Sequence, residues 1–125
     1  MITKTALLIE DNKTFCKVLA PFWERRGYQV FIAHDGQEGV EKFSSLKPGI
    51  TFVDVVLPGR SGLEVISSIR LMNPVAKLVM MSSFMSNEKI AHAQDENVNW
   101  LLLKPFNKED LVRILDRFEQ LAHDI

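Results

Sequence analysis

Four short apolar runs constrain this 125-residue chain more than any other feature, because each ends on a polar residue. Ala6-Leu7-Leu8-Ile9 runs into Glu10-Asp11, and Thr51-Phe52-Val53 into Asp54. Leu78-Val79-Met80-Met81 runs into Ser82, and Leu101-Leu102-Leu103 into Lys104. Short, nearly continuous apolar runs fit strands buried on both faces, which is the pattern of a parallel sheet. In such a sheet all the strand C-termini lie on one edge, where open α/β folds bind ligands. The runs therefore predict three carboxylates, a hydroxyl and an ammonium at one crevice.

The segments between the runs read as helices. Asp11-Asn12 caps a helix from about Lys13 to Arg26 that Gly27 closes, with Phe15, Val18, Leu19 and Phe22 as its inner stripe. Pro21 conflicts with that helix and predicts a kink. Tyr28–Ala33 alternates as a second strand, and Gln37–Leu46 is a helix turning Val40 and Phe43 inward. Pro48-Gly49 leads into a strand over Ile50–Val53; Pro58, Gly59 and Gly62 mark a loop. A helix carrying Leu63, Ile66, Ile69 and Leu71-Met72 ends at Asn73-Pro74. A strand over Lys77–Met81 precedes a polar helix from Ser86 to about Glu96. Trp100–Leu103 is the fifth strand. The last helix starts near Asn107, with Leu111, Ile114, Leu115, Phe118 and Leu121 at core spacing. Five strands alternating with five helices make one doubly wound α/β domain over residues 1–125.

Bulk properties limit the partners. A formal net charge of −1 gives no general attraction to nucleic acid or an anionic membrane. The single cysteine, Cys16, excludes an internal disulfide and reads as a packing residue on a helix face. No apolar stretch approaches the roughly 20 residues that span a bilayer. With no basic-then-apolar leader at the N-terminus, a cytoplasmic location is expected.

Glu10-Asp11, Asp54, Ser82 and Lys104-Pro105, each closing a strand, resemble the response-regulator receiver domain. The segment Asp54-Val55-Val56-Leu57-Pro58-Gly59-Arg60-Ser61-Gly62 extends the resemblance, with a proline four and a glycine eight residues after the aspartate. It covers the whole chain. It implies a flavodoxin-like sheet of strand order 2-1-3-4-5, a Mg²⁺ site and a phosphorylated aspartate. By resemblance Asp54 is the phosphorylated nucleophile. The resemblance implies Mg²⁺ held by Asp11, Asp54 and the backbone carbonyl of Val56, with Glu10 bound directly or through water. Ser82 and Lys104 contact the phosphoryl oxygens, and the peptide before Pro105 is cis. The chemistry is coherent: crowded carboxylates repel, and a hard cation that prefers oxygen ligands relieves the repulsion.

The implied function is a phosphoacceptor switch. It takes a phosphoryl group from a sensor histidine kinase or a histidine-containing phosphotransfer protein, and it is not a turnover enzyme. An effector domain or target is expected on the face of the fourth helix, fifth strand and fifth helix, where the family also dimerises weakly. There Asn87, Lys89, His92 and Gln94 read as solvated surface. The relay departs from the family: Leu101 stands where an aromatic is usual, and Trp100 lies one residue earlier, on the opposite side of a regular strand. Either Leu101 serves as the switch or Trp100 does so through a bulge. Val56 and Phe84, which flank the path of the hydrolytic water in the family, are apolar and cannot orient a water, so slow dephosphorylation is expected. A degenerate receiver acting as a phosphorylation-independent interaction module is the alternative. A haloacid-dehalogenase-type phosphatase is disfavoured because Val56 stands where its second aspartate belongs. A flavodoxin is disfavoured because acids occupy the loop after the first strand.

Overall fold

The computed structural model describes residues 4–123; the ends of the expected 1–125 domain lie outside the described residues. Five strands, β1 (Thr5–Ile9), β2 (Gln29–Ala33), β3 (Ile50–Asp54), β4 (Leu78–Ser82) and β5 (Trp100–Leu103), alternate with five helices. These are α1 (Lys13–Arg25), α2 (Gly36–Leu46), α3 (Gly62–Met72), α4 (Asn87–Asp95) and α5 (Lys108–His123). The strands form one parallel sheet in the order β2-β1-β3-β4-β5, as expected. Asp54 and Ser82 are the last residues of their strands rather than the first of the following loops.

Alternate residues of β1, β3 and β4 serve two separate cores, which is why those runs are apolar throughout. The run in β5, expected to be buried on both faces, buries only Leu102, because β5 is an edge strand and leaves Leu101 and Leu103 exposed. Ala6, Leu8, Ile50, Phe52, Val79, Met81 and Leu102 pack with Cys16 and Trp23 of α1 and Leu111, Ile114, Leu115 and Phe118 of α5. Leu7, Ile9, Val53, Leu78 and Met80 pack with Phe43 of α2, Val65, Ile66 and Ile69 of α3, and Ala93 of α4. The alternation in β2 follows the same division: Val30 and Ile32 lean on the first core, Phe31 and Ala33 on the second. Burial of each large side chain contributes about 1.5–3 kcal/mol.

Two expectations about helix faces, at Val18 and Leu121, are corrected. In α1 Val18 is 69% exposed, while Cys16 and Trp23 are buried and Phe15, Leu19 and Phe22 only partly so. Phe15, Leu19 and Phe22 pack against the expected core, but the helix face centres on Cys16 and Trp23, which leaves Val18 outside. Leu71 and Met72 are exposed, since only Val65, Ile66 and Ile69 of α3 reach the sheet. Leu121 is exposed at the far end of α5, beyond the last core contact at Phe118. The helix α1 is continuous through Pro21, which lies on its exposed side.

The least apolar helix, α4, buries only Ala93 and is held mainly by polar bonds. His92 Nε2 stands 3.0 Å from the Leu63 carbonyl oxygen and 3.2 Å from Ser67 Oγ of α3. Arg70 of α3 donates to the carbonyls of Glu96 (2.8 Å) and Asn97 (2.9 Å) just past the end of α4. Its other bonds go to the carbonyls of Asn73, Pro74 and Ala76.

Candidate functional site

The parallel topology carries the ends of β1, β3, β4 and β5 to one edge, where Glu10, Asp11, Asp54 and Lys104 meet. Glu10, Asp11 and Asp54 each offer a carboxylate oxygen, and these oxygens lie within 4.8 Å of one another. Glu10 is 1% and Asp54 6% exposed, whereas Asp11 faces solvent. Three converging acids with one open side fit a hard divalent cation that keeps some of its water.

Lys104 binds the two buried acids together. Its Nζ donates to Asp54 Oδ2 at 2.7 Å and to Glu10 Oε1. Burial opposes the Lys104 charge, but the bonds to Asp54 and Glu10 outweigh it and hold the ammonium above its usual range. Burial pushes the Glu10 carboxyl up to about 7; Lys104 opposes the rise and Asp54 adds to it. A cation beside Glu10 would offset that burial and favour its charged form.

The surrounding backbone fixes the acids. The Val56 amide donates to Asp54 Oδ1 at 2.9 Å, so Asp54 has one oxygen on the backbone and one on Lys104. The Val56 side chain is exposed. The Asn12 amide donates to Glu10 Oε2 at 3.2 Å, while Asn12 Oδ1 caps α1 through the Phe15 amide at 3.0 Å. His34 Nδ1 lies 3.0 Å from the Glu10 carbonyl oxygen.

The amide of Gly62 donates to the Val55 carbonyl at 2.8 Å, pinning α3 beneath the strand that carries Asp54. Gly59, at φ +77°, turns the loop between them. The Lys104–Pro105 peptide is cis, as expected.

The hydroxyl of Ser82 is buried but engaged elsewhere. It donates to the Phe84 carbonyl at 2.9 Å and accepts from Lys89 Nζ at 2.8 Å. On β5, Trp100 packs against the α1–α5 core, while the strand pairs with β4 in unbroken register from Val79↔Trp100 to Ser82↔Leu103. No bulge brings Trp100 to the other side. Leu101 pairs with Met80, on the α3–α4 side, and is exposed. A groove of about 510 Å³ between β5 and α5 is lined by Trp100, Leu101 and Leu103 of the strand and by Asp110, Arg113, Ile114 and Arg117 of the helix.

Several contributors were not legible as site residues. Phe15 places its ring 4.4 Å from Lys104 Nζ and meets Phe106 edge-on at 5.6 Å. The sequence places it only in a core stripe. The sequence presents Lys89 and His92 as solvated surface, yet both hold α4 to its neighbours, because their partners lie on a loop and on α3. The one available signal was the position of Lys89, three residues after a serine that caps its helix.

The described residues contain no helix long and apolar enough to cross a membrane.

Residues 6–116 match the model of the response regulator receiver domain. The chain is 32% identical to transcription factor SKN7 of Chaetomium thermophilum over 94% of its length, but spans only 15% of that protein. It is 28% identical to the chemotaxis protein CheY of Thermotoga maritima, covering 91% of this chain and 96% of CheY. A crystal structure of a response regulator protein from Burkholderia pseudomallei with a phosphorylated aspartic acid, calcium ion and citrate superposes with a TM-score of 0.82 at 29% identity. That match covers 97% of this chain and 72% of the other. The strand order, the acidic edge and the match over residues 6–116 agree, and the chain belongs to the response regulator receiver domain family.

Proposed function

We propose that this receiver domain is a phosphoacceptor switch in which Asp54 takes a phosphoryl group from a phosphohistidine. One observation carries the reading: the Asp54 carboxylate is shared between the Val56 amide and Lys104, beside Glu10 and Asp11 at the open edge of the sheet. The phosphorylated aspartic acid and calcium ion of the Burkholderia pseudomallei relative support it. The donor is a sensor histidine kinase or a phosphotransfer protein.

Glu10, Asp11 and Asp54, with the Val56 carbonyl, would hold Mg²⁺, which supplies charge neutralisation and in-line positioning of the phosphoryl oxygens when bound. An Asp54 oxygen attacks phosphorus and forms the acyl phosphate as the donor's P–N bond breaks. The bonding pair returns to the imidazole nitrogen, which takes up a proton. Lys104 gives up its bond to Asp54 Oδ2 and pairs with a phosphoryl oxygen. Ser82 turns its hydroxyl to the same group. Leu101, on the side of the sheet that Ser82 faces, moves into the space left behind; Trp100 stays in the α1–α5 core. The altered α4–β5–α5 face then engages an effector domain or target at the groove beside Leu101 and Leu103. The only covalent chemistry is the chain's own phosphorylation and dephosphorylation.

Incubation with acetyl phosphate and Mg²⁺, read by intact mass, tests this. The chain should gain one phosphoryl group, and Asp54→Ala should gain none. An unmodified wild-type chain with no Mg²⁺ affinity would instead identify a phosphorylation-independent interaction module.

A further inference from the structure

Ser82 Oγ is saturated. A hydroxyl has one proton and two lone pairs. Here the proton goes to the Phe84 carbonyl at 2.9 Å, and the lone pairs receive Lys89 Nζ at 2.8 Å and the Phe84 amide at 3.3 Å. Among the described residues no bond joins Ser82 Oγ to Asp54 or Lys104. The hydroxyl can donate elsewhere only by leaving this arrangement.

Lys89 is the one partner that lies on a helix. Its ammonium also donates to the Phe84 carbonyl at 2.6 Å and stands 5.8 Å from the Phe84 ring. Its amide donates to Ser86 Oγ, the N-cap of α4, at 3.2 Å. The loop between Ser82 and α4 is thus closed on one residue twice, by side chain and by backbone. Because Lys89 already serves the Phe84 carbonyl, that carbonyl keeps a donor when Ser82 withdraws its proton. Turning the side chain toward Asp54 moves Oγ itself, so all three bonds open, and of these only the one from Lys89 reaches a helix.

We infer that Lys89 is a positioning residue that transmits the state of the Ser82 hydroxyl directly to the first turn of α4. The inference rests on the proposed function, in which Ser82 turns to a phosphoryl group on Asp54. In the resting chain the Lys89 ammonium holds Ser82 Oγ and α4 in one arrangement. When Ser82 turns away, Lys89 loses an acceptor and α4 loses one of the few bonds fixing its N-terminus. Leu101 is a flexible aliphatic side chain, so this polar route gives α4 a link to Ser82 that does not depend on β5.

The test compares wild type, Lys89→Met and Lys89→Arg, each with and without Mg²⁺ and beryllium fluoride, by amide chemical shifts and hydrogen exchange along α4. Acetyl phosphate labelling is measured in parallel. Lys89→Met should still be labelled at Asp54. In the resting state its first-turn α4 amides should exchange roughly tenfold faster, as expected for losing a partly exposed charged hydrogen bond. It should also lose most of the α4 shift change that wild type shows on activation. Lys89→Arg, which keeps a cationic donor, should restore that response. If Lys89→Met does not fold, Ser82→Ala gives the second reading: it should release the same α4 amides. A labelled Lys89→Met whose α4 responds like wild type, or a Ser82→Ala that leaves those amides unchanged, overturns the relay alone. A wild-type chain that is not modified at Asp54 overturns the proposed function and the relay with it.

Discussion

Gly62 lies so close to Asp54 that a Cβ built on it would stand 2.0 Å from the Asp54 carbonyl oxygen and 2.7 Å from its carbonyl carbon. Backbone cannot yield as a flexible side chain can, so any side chain here pushes α3 away from β3. Gly62→Ala should cost about 3 kcal/mol or more, at the upper end of overpacking penalties. It should also slow labelling of Asp54, whose Oδ1 depends on the Val56 amide in the same segment. Urea unfolding and acetyl phosphate labelling check both. Wild-type stability in this variant would show that α3 shifts freely.

Lys104 is the only cation hydrogen-bonded to Glu10 and Asp54 among the described residues, and its removal leaves two buried acids facing each other. Breaking a buried pair costs about 3–5 kcal/mol when the remaining charge persists. Glu10, already raised to about 7 by burial, takes up a proton more readily once Lys104 is gone, so the loss for Lys104→Met at neutral pH should fall below that range. A divalent cation should replace the missing charge, so Mg²⁺ should stabilise Lys104→Met more than wild type. Chemical denaturation at increasing Mg²⁺ measures this, and equal gains in the two proteins would count against a metal at the three acids.

The sequence disclosed this edge of the sheet because strand ends in a parallel sheet must converge, and apolar runs mark strand ends well. Glu10, Asp54 and Lys104 meet as their runs require. Which way a helix rolls is decided more finely. Of the stripe Phe15, Val18, Leu19 and Phe22, three pack on the core, yet Cys16 and Trp23 are the residues fully buried and Val18 is left outside. The bonds of Lys89 and His92 were not legible for a different reason. Their partners, Ser82, Phe84, Leu63 and Ser67, lie on other elements, and no local periodicity encodes a contact between a helix and a neighbouring loop.

At the opposite end of α5, Glu119 accepts from Arg26 Nη2 at 2.8 Å and from Tyr28 Oη at 3.0 Å. Burial would raise the Glu119 carboxyl, but these bonds win and hold it below the usual carboxylate range. A carboxyl depressed in the folded state stabilises the fold above its unfolded pKa and loses that contribution as pH falls through the folded value. Wild type should therefore exceed Glu119→Gln by about 1–2 kcal/mol at neutral pH, a margin typical of charge-assisted bonds that are partly screened. The margin should stay constant down to about pH 4.5, the ordinary glutamate value, and shrink below it. Denaturant melts across pH give the difference. A margin that widens in acid would assign the opposite shift.

The phosphoryl group on Asp54 should be long-lived. Attack by water on an acyl phosphate is fastest when a polar side chain orients the water, and the two positions that the resemblance sets beside the water's path, Val56 and Phe84, are 69% and 68% exposed. Neither can donate or accept a hydrogen bond through its side chain. Val56 is the better place to intervene, since its amide already contacts Asp54 Oδ1 and its side chain is free to change without disturbing a core. Val56→Asn should shorten the acyl phosphate lifetime roughly tenfold, below the usual 10²–10⁴ range for a positioned group because an exposed carboxamide is only loosely held. The stability of the fold should change by less than about 0.5 kcal/mol, as for an ordinary surface substitution. Decay of the purified phosphorylated chain after removal of acetyl phosphate measures the lifetime directly. Rapid decay in wild type, or no acceleration in Val56→Asn, would show that these apolar positions do not set it.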